Sequence, residues 1–476
     1  MIVLALLGIP LAGAGVLALA PPRTARTVHG VTTLLTAAIA VALAAAVARP
    51  ATITALDGLL RTDALSGWLT GLIGLVAGLA AMEAPRYVPA AAPRPFYPLF
   101  HLFVFTMLLA VNTDDVGVLW VAVEGTTLAS VFLVNFERTR ASLEASYKYL
   151  LICSVGIALA FIGTVLMYFA DVQQFGDLPH ALRWTVLVDV APALPARVIE
   201  LAFVFIVIGY GTKAGLVPMH TWLPDAHSEA PTPVSALMSG VLLSVGVYAV
   251  LRFKTVVDVA AGPAFAQHIL VGLGLLSMAL AAAFLWTPTN YKRMLAYSSV
   301  EHIGLVCLGL GFGGRWGVTG AVLHIANHAL AKSVLFLVAG RIRAVYGSTA
   351  IADVRGLLTV MPGTGRVFLA AMLALMGLPP FGLFVSEVMI FAAGFQAGFG
   401  SVAVVGLALL VAAFGGLLRA LHQMLYGEAA VRRPAERHGW SPALPFAAVL
   451  LLLVLTGLAW PPGLAATLDR IAVVLK

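Results

Sequence analysis

Lys213, His220, Asp225, His227 and Glu229 share one short stretch, KAGLVPMHTWLPDAHSEAPTPVSA (213–236). An apolar run, VIELAFVFIVIGY, enters it from Val198, and another, SALMSGVLLSVGVYAVL, leaves it from Ser235. Pro218 has no N–H, and its ring crowds the carbonyl of Ala214, so a helix is expected to break there. Broken backbone at membrane depth survives only where protein buries it or where it lines a wet cavity. A lysine just before such a break can take up and release a proton, and it is a functional candidate. The plainer alternative is a lysine snorkelling from a helix end.

Other ionisable groups stand in apolar surroundings. Glu124 lies in DVGVLWVAVEGTTLASVFLV, far enough beyond Asp115 to sit about halfway across a membrane at ~1.5 Å per residue. Lys213 is its natural partner. Opposite charge would keep both ionised and burial would oppose it, which is the balance a proton relay needs. A static pair that fixes helix packing is the alternative. His324, His328 and Lys332 form H-x3-H-x3-K, a spacing that places them on one helical face. Bridged by water, they would make a proton wire. A metal or haem site, or histidines that only hydrogen-bond across helices, are the other readings. A haem would want a second H-x3-H, and the sequence has none.

Glu387 follows the interruption GLPPFG (377–382) and is the only acid in its apolar segment. Further candidates for a proton path are Lys148, His220, His227, Ser244, Glu301 and His302. Glu144, His220, Asp225, His227 and Glu229 would line a cytoplasmic mouth or a solvated loop.

These residues need a scaffold, and composition says which. Of 476 residues, 61% are hydrophobic and 10% charged, with a mean hydropathy of +1.00, so the solvent is lipid. An all-α polytopic membrane protein of about fourteen helices is expected, each span needing ~20 apolar residues. The expected cores are 2–20, 28–48, 64–82, 97–112, 115–135, 147–169, 198–217, 234–251, 266–287, 294–312, 317–340, 365–397, 400–425 and 443–460. The two Pro/Gly-broken segments suggest inverted repeats of ~5 helices each. The expected division is 1–96 (helices one to three), 97–255 (first repeat), 256–426 (second repeat) and 427–476 (C-terminal helix).

Odd-numbered loops carry the excess of Lys and Arg, including Arg23, Arg26, Arg86, Arg94, Arg138, Lys292, Arg341, Arg432, Arg433 and Arg437. That places odd loops in the cytoplasm and both termini outside. The net charge of +7 is spread over loops, so it is not a nucleic-acid signal. Cys153 and Cys307 sit in apolar runs without CxxC spacing, which supports neither disulfides nor an iron–sulfur site. No GxxxxGK[ST], GxSxG or HExxH occurs.

KAGLVPMHTWLPDAHSEAPTPVSALMSGVLL, WVAVEGTTL, KRMLAYSSVEHIG, HIANHALAKSVLF and GLPPFGLFVSE together resemble the antiporter-like membrane subunits. That family includes pumping subunits of respiratory complex I, membrane subunits of group 4 nickel–iron hydrogenases and components of multi-subunit Na+/H+ antiporters. SSVEHIG and GLPPFGLFVSE are most like the hydrogenase-4 component F type. The resemblance implies a proton-translocating subunit without catalytic, cofactor or metal centre of its own. Ni-Fe and iron–sulfur clusters, or FMN, would sit in hydrophilic partner subunits of a hetero-oligomeric complex in a bacterial or archaeal cytoplasmic membrane. Glu124 and Lys213 match the family's Glu–Lys pair, His324, His328 and Lys332 its central axis, and Glu387 its terminal acid or lysine. Ser244 stands where many members have Lys or His in the eighth helix. Subunit M or N of a NADH–quinone oxidoreductase and a Na+/H+ antiporter subunit are the alternatives.

Overall fold

The computed structural model describes residues 1–49, 51–88, 95–176, 180–428 and 444–475. In chain order the helices are α1 (Ile2–Leu19), α2 (Pro22–Val47), α3 (Ala64–Glu83), α4 (Phe96–Asn112), α5 (Val116–Val134), α6 (Arg140–Phe175), α7 (Trp184–Val190), α8 (Ala196–Ala214), α9 (Trp222–Glu229) and α10 (Thr232–Leu237). They continue with α11 (Leu243–Ala261), α12 (Pro263–Leu285), α13 (Tyr291–Phe312), α14 (Gly314–Tyr346), α15 (Leu357–Val360), α16 (Pro362–Leu375), α17 (Gly382–Gln396), α18 (Gly400–Leu425), α19 (Leu444–Leu458) and α20 (Pro462–Val474). One β hairpin, Ile53–Ala55 with Leu60–Thr62, is the only sheet among the described residues.

The chain is a multi-pass membrane protein. Among the described residues ten helices are long and apolar enough to cross a bilayer, and the bent pair α19–α20 would make eleven. Helix occupies each of the fourteen expected cores, but several fall short of a full span by length and apolarity. α4, α16 and α17 are short, and α8 carries Arg197, Glu200 and Lys213. The loop cations Arg94, Arg432, Arg433 and Arg437 lie outside the described residues.

The chain forms two compact units. The first contains Met1–Trp222, Val241–Ile269 and Ala466–Lys476, and the second Leu223–Gly240 and Leu270–Ala465. In the first unit the even-numbered loops meet at one end: Leu60 bridges Thr113, and Asp115 bridges Arg183. Odd-numbered loops meet likewise, as Arg26 Nη2 donates to the carbonyls of Pro85 and Val88. In the second unit Asn290 bridges Ala350, again joining two odd loops.

Small residues set the helix spacings that position the site. A Cβ on Gly156 of α6 would lie 2.6 Å from Thr212 Cβ, and one on Gly209 of α8 would lie 2.5 Å from Ala160 N. The α6 and α8 backbones therefore touch, as small residues allow in lipid. In the second unit Gly274 and Gly304 do the same for α12 and α13, and Gly309 and Gly317 for α13 and α14. Asp115 Oδ1 caps α5 by accepting from Gly117 N (2.8 Å) and Val118 N (2.9 Å). Asn290 Oδ1 caps α13 in the same way, through Lys292 N and Arg293 N.

Both expected helix breaks are present, and they are built alike. α8 stops at Ala214, one turn before Pro218, because Gly215 turns left-handed (φ 78°) and closes the helix. Gly215 N donates to Thr212 O, and Leu216 N reaches back to Gly211 O at 2.9 Å. At the second break Gly377 turns left-handed (φ 65°), Gly377 N donates to Ala374 O, and Leu378 N reaches Leu373 O at 3.2 Å. Each is a glycine-capped helix end of the Schellman type. Gly215, Leu216 and Pro218 hold the places of Gly377, Leu378 and Pro380. In that register Asp225 and Glu387 stand at the same distance beyond the glycine.

Candidate proton-transfer site

In the first unit the site grows from the end of α8. Lys213 is wholly buried. Its Nζ donates to Thr127 Oγ1 of α5 and to Tyr149 Oη of α6, both at 2.8 Å, and lies over the Tyr149 ring at 4.8 Å from the centroid. Thr127 Oγ1 in turn donates to Glu124 Oε2 at 3.3 Å, and Ser154 Oγ donates to Glu124 Oε1 at 2.9 Å. Glu124 and Lys213 are thus joined through a hydroxyl, and no carboxylate stands at ion-pair distance from Lys213 among the described residues. Pairing the two groups from sequence did not include Thr127, one helical turn beyond Glu124 on the same face of α5.

The proton directions in this group are determined. Ser130 Oγ donates to Thr126 O, so Tyr149 Oη donates to Ser130 Oγ (2.7 Å) and accepts from Lys213. Thr127 accepts from Lys213 and donates to Glu124. Each hydroxyl both gives and takes, so a proton can be relayed between the ammonium and the carboxylate without moving a backbone atom.

In the second unit His302 of α13 stands between His324 and His328 of α14, with ring centroids 5.0 and 5.2 Å away. Ser386 Oγ gives its hydrogen to Leu383 O, so His324 Nδ1–H donates to Ser386 Oγ at 2.9 Å. His324 Nε2 must then accept, and His302 Nδ1–H supplies the hydrogen at 2.9 Å. The row therefore crosses helices instead of running along α14. His328 makes no hydrogen bond to Lys332, and both its ring nitrogens lack a partner. Lys332 Nζ donates to Leu295 O (2.6 Å) and to Ser298 Oγ. Glu301 is near enough to Lys332 and to Glu387 to interact electrostatically with both. Glu387 is buried, its Oε1 has no hydrogen-bond partner, and its carboxyl fills the space beside Gly377.

His302, His324 and Glu387 each bring one atom to within 4.8 Å of the others. His302 and His324 spend one nitrogen each on their mutual hydrogen bond, so the donor set serves proton passage better than an ion cage.

The remaining candidates separate. His227 is fully buried, stacks on Phe336 at 4.9 Å and interacts with Lys332 and Lys292. That corrects the solvated-loop alternative for this residue. His220 is also buried. Ser244 is buried with its Oγ unpartnered, so it is available to a water. Lys148 instead sits on an exposed face of α6, paired with Glu144 at 2.6 Å. Its neighbour Tyr149 carries the contact to Lys213. Asp225, half-buried, pairs with Arg293 at 2.7 Å. Tyr149, Thr127, Ser154, Ser298 and Ser386 were missed because uncharged hydroxyls carry no signal in an apolar run.

Residues 113–413 match the family described as NADH:quinone oxidoreductase/Mrp antiporter, TM. The chain belongs to this family. The matched span holds the whole Glu124–Lys213 group and the whole histidine row. The chain is 37% identical over 389 residues to a hydrogenase-4 component F homolog of Methylacidiphilum infernorum, covering 80% of each. It is 38% identical over 331 residues to NADH-quinone oxidoreductase subunit N of Desulforudis audaxviator, covering 67% of this chain and 63% of that one. Its fold is like a chain of the membrane-bound sulfane sulfur reductase, an archaeal respiratory membrane complex, with a TM-score of 0.89, 24% identity, and 99% and 97% of the two chains covered.

Proposed function

We propose that this chain translocates protons as an antiporter-like subunit of a redox-driven membrane complex of the hydrogenase-4 type. Lys213 carries the reading. It is an entirely buried ammonium held by two hydroxyls, one of which leads to a carboxylate, beside the helix end that Gly215 closes. A buried pair kept for stability alone would be in direct contact, since separating the charges forfeits the attraction that offsets their desolvation. The histidine row and Glu387 beside the second break supply a similar set in the other unit. Likeness to a hydrogenase-4 component F homolog over most of both chains favours that branch over subunit N, of which less is covered. In this reading the electron-transfer groups, Ni-Fe and iron–sulfur clusters or FMN, belong to partner subunits. The two alike breaks each fall within one of two repeats, 97–255 and 256–426, and both termini lie outside.

The reading is tested on the whole complex in liposomes. Proton uptake driven by electron transfer is expected to persist in Na+-free medium. The histidines and lysines of the two groups suit protons, whereas a Na+ site wants several oxygens around one ion. Strict Na+ dependence would replace proton pumping with cation antiport. Orientation is tested separately: a periplasmic reporter fused after Lys476 should be active, and one placed within 427–440 silent. The reverse pattern would invert the assignment.

A further inference from the structure

At the end of the first unit where the even-numbered loops meet lies a second charged group, 63–252, which the relay does not use. Arg252 of α11 is buried, and its Nη2 donates to Asp63 Oδ1 at 2.8 Å and to Ser66 Oγ at 2.9 Å. The guanidinium lies between two rings, 4.4 Å from the Trp184 centroid and 4.9 Å from that of Tyr248. Trp184 Nε1 also donates to Arg252 O at 2.7 Å, which fixes ring and helix together. Burial would raise the Asp63 carboxyl, but the Arg252 guanidinium, the Ser66 N–H and Arg61 together outweigh it and hold the group down at about 2. Arg61, at the rim, brings its Nε to 3.8 Å from both Asp63 Oδ2 and Asp114 Oδ1.

Four buried polar atoms in this group have no protein partner: Arg61 Nε, Asp63 Oδ2, Asp114 Oδ1 and Arg252 Nη1. A cavity of about 10 Å³, lined by Arg61, Asp114, Trp184 and Arg252 among others, lies against three of these four residues; Asp63 is not in its lining. That is room for about one water, and a buried water needs two to four polar partners. Separations of 3.8 Å are too long for direct hydrogen bonds and short enough for one water to span.

We infer that Arg61, Asp114 and Arg252 hold a single water and, with Asp63 bonded to Arg252, form a proton-excluding gate that closes this end of the first unit. Two fixed guanidiniums repel an excess proton, because arginine stays charged and cannot pass one on. The two carboxylates keep the group near neutral, so the positive charge can be buried without opening the protein to solvent. A relay at Lys213 needs such a seal, since a group reachable from both sides at once would leak. The gate rests on the translocation reading, but its test does not need turnover.

The complete complex is sealed in liposomes with a trapped pH dye, and a K+ diffusion potential is imposed by valinomycin without electron donor. Arg252→Gln should raise resting proton permeability several-fold at equal assembled complex per lipid, and Arg252→Lys, whose ammonium can give up its proton, should restore only part of the tightness. Arg61→Gln changes a partly exposed residue at the rim and provides a second variant should Arg252→Gln fail to assemble. It is expected to leak less than Arg252→Gln but more than wild type. Vesicles as tight as wild type in whichever of these glutamine variants assembles would overturn the gate. Should wild-type complex not pump at all, the translocation reading fails by itself, and the leak is still read.

Discussion

Glu124→Gln and Lys213→Met should each cut proton uptake per electron transferred by about ten-fold or more, with assembled complex largely retained. The geometry gives the reason. Lys213 already makes its bonds to neutral oxygens, Thr127 Oγ1 and Tyr149 Oη, and keeps both when Glu124 becomes an amide. In a contact ion pair, removing one partner would strand a buried charge at ~3–5 kcal/mol, and the yield of complex would collapse. Thr127→Val is the sharper variant. It leaves both ionisable groups in place and removes the hydroxyl between them, so transfer should fail while charge and assembly persist. The measurement is proton uptake per electron, normalised to assembled complex. An unchanged ratio in all three variants, with only the yield altered, would make the group structural.

Gly377→Ala should be as damaging, for a different reason. The residue is left-handed, which costs a non-glycine side chain ~1–2 kcal/mol. A Cβ there would also overlap Glu387 Oε2. The carboxyl would have to leave its seat beside the second break, and translocation should be lost in whatever complex assembles. Gly398→Ala separates the two costs. Gly398 is also left-handed, at φ 83°, but nothing lies within 4 Å of its would-be Cβ. That variant should lose some yield and keep its pumping. Equal pumping in the two variants would mean that the seat of Glu387 does not matter.

Much of this was legible in the sequence because charge is loud in an apolar chain. Lys213, Lys332 and Glu387 stood out against their surroundings, and burial is where the structure puts them. Pro218 announced the first break, although Gly215 is what ends the helix, one turn earlier. What stayed hidden was anything settled by rotation about a helix axis. Lys148 and Tyr149 are neighbours in sequence, yet successive residues differ by ~100° around a helix. Only Tyr149 points inward, and only its place on one face with Cys153 and Gly156 could have told them apart. His302 was a candidate from its own helix, but its insertion between His324 and His328 depends on how closely Gly309 and Gly317 let α13 and α14 approach. Hydroxyls such as Thr127 and Ser386 gave no warning, because in lipid-facing helices they usually bond their own backbone. The Asp63–Arg252 bond joins residues far apart in the chain and has no local signature.

The way the two units share the chain bears on how the protein is made. Leu223–Gly240 belongs to the second unit but is synthesised before Val241–Ile269, which belongs to the first. The first unit also takes in Ala466–Lys476. A ribosome therefore delivers a piece of the second unit while the first is unfinished, and it completes the first only after the second. Neither unit is complete in the order in which its residues are made. α10 packs against α14, synthesised about a hundred residues later, so the early helix is made before the surface that buries it.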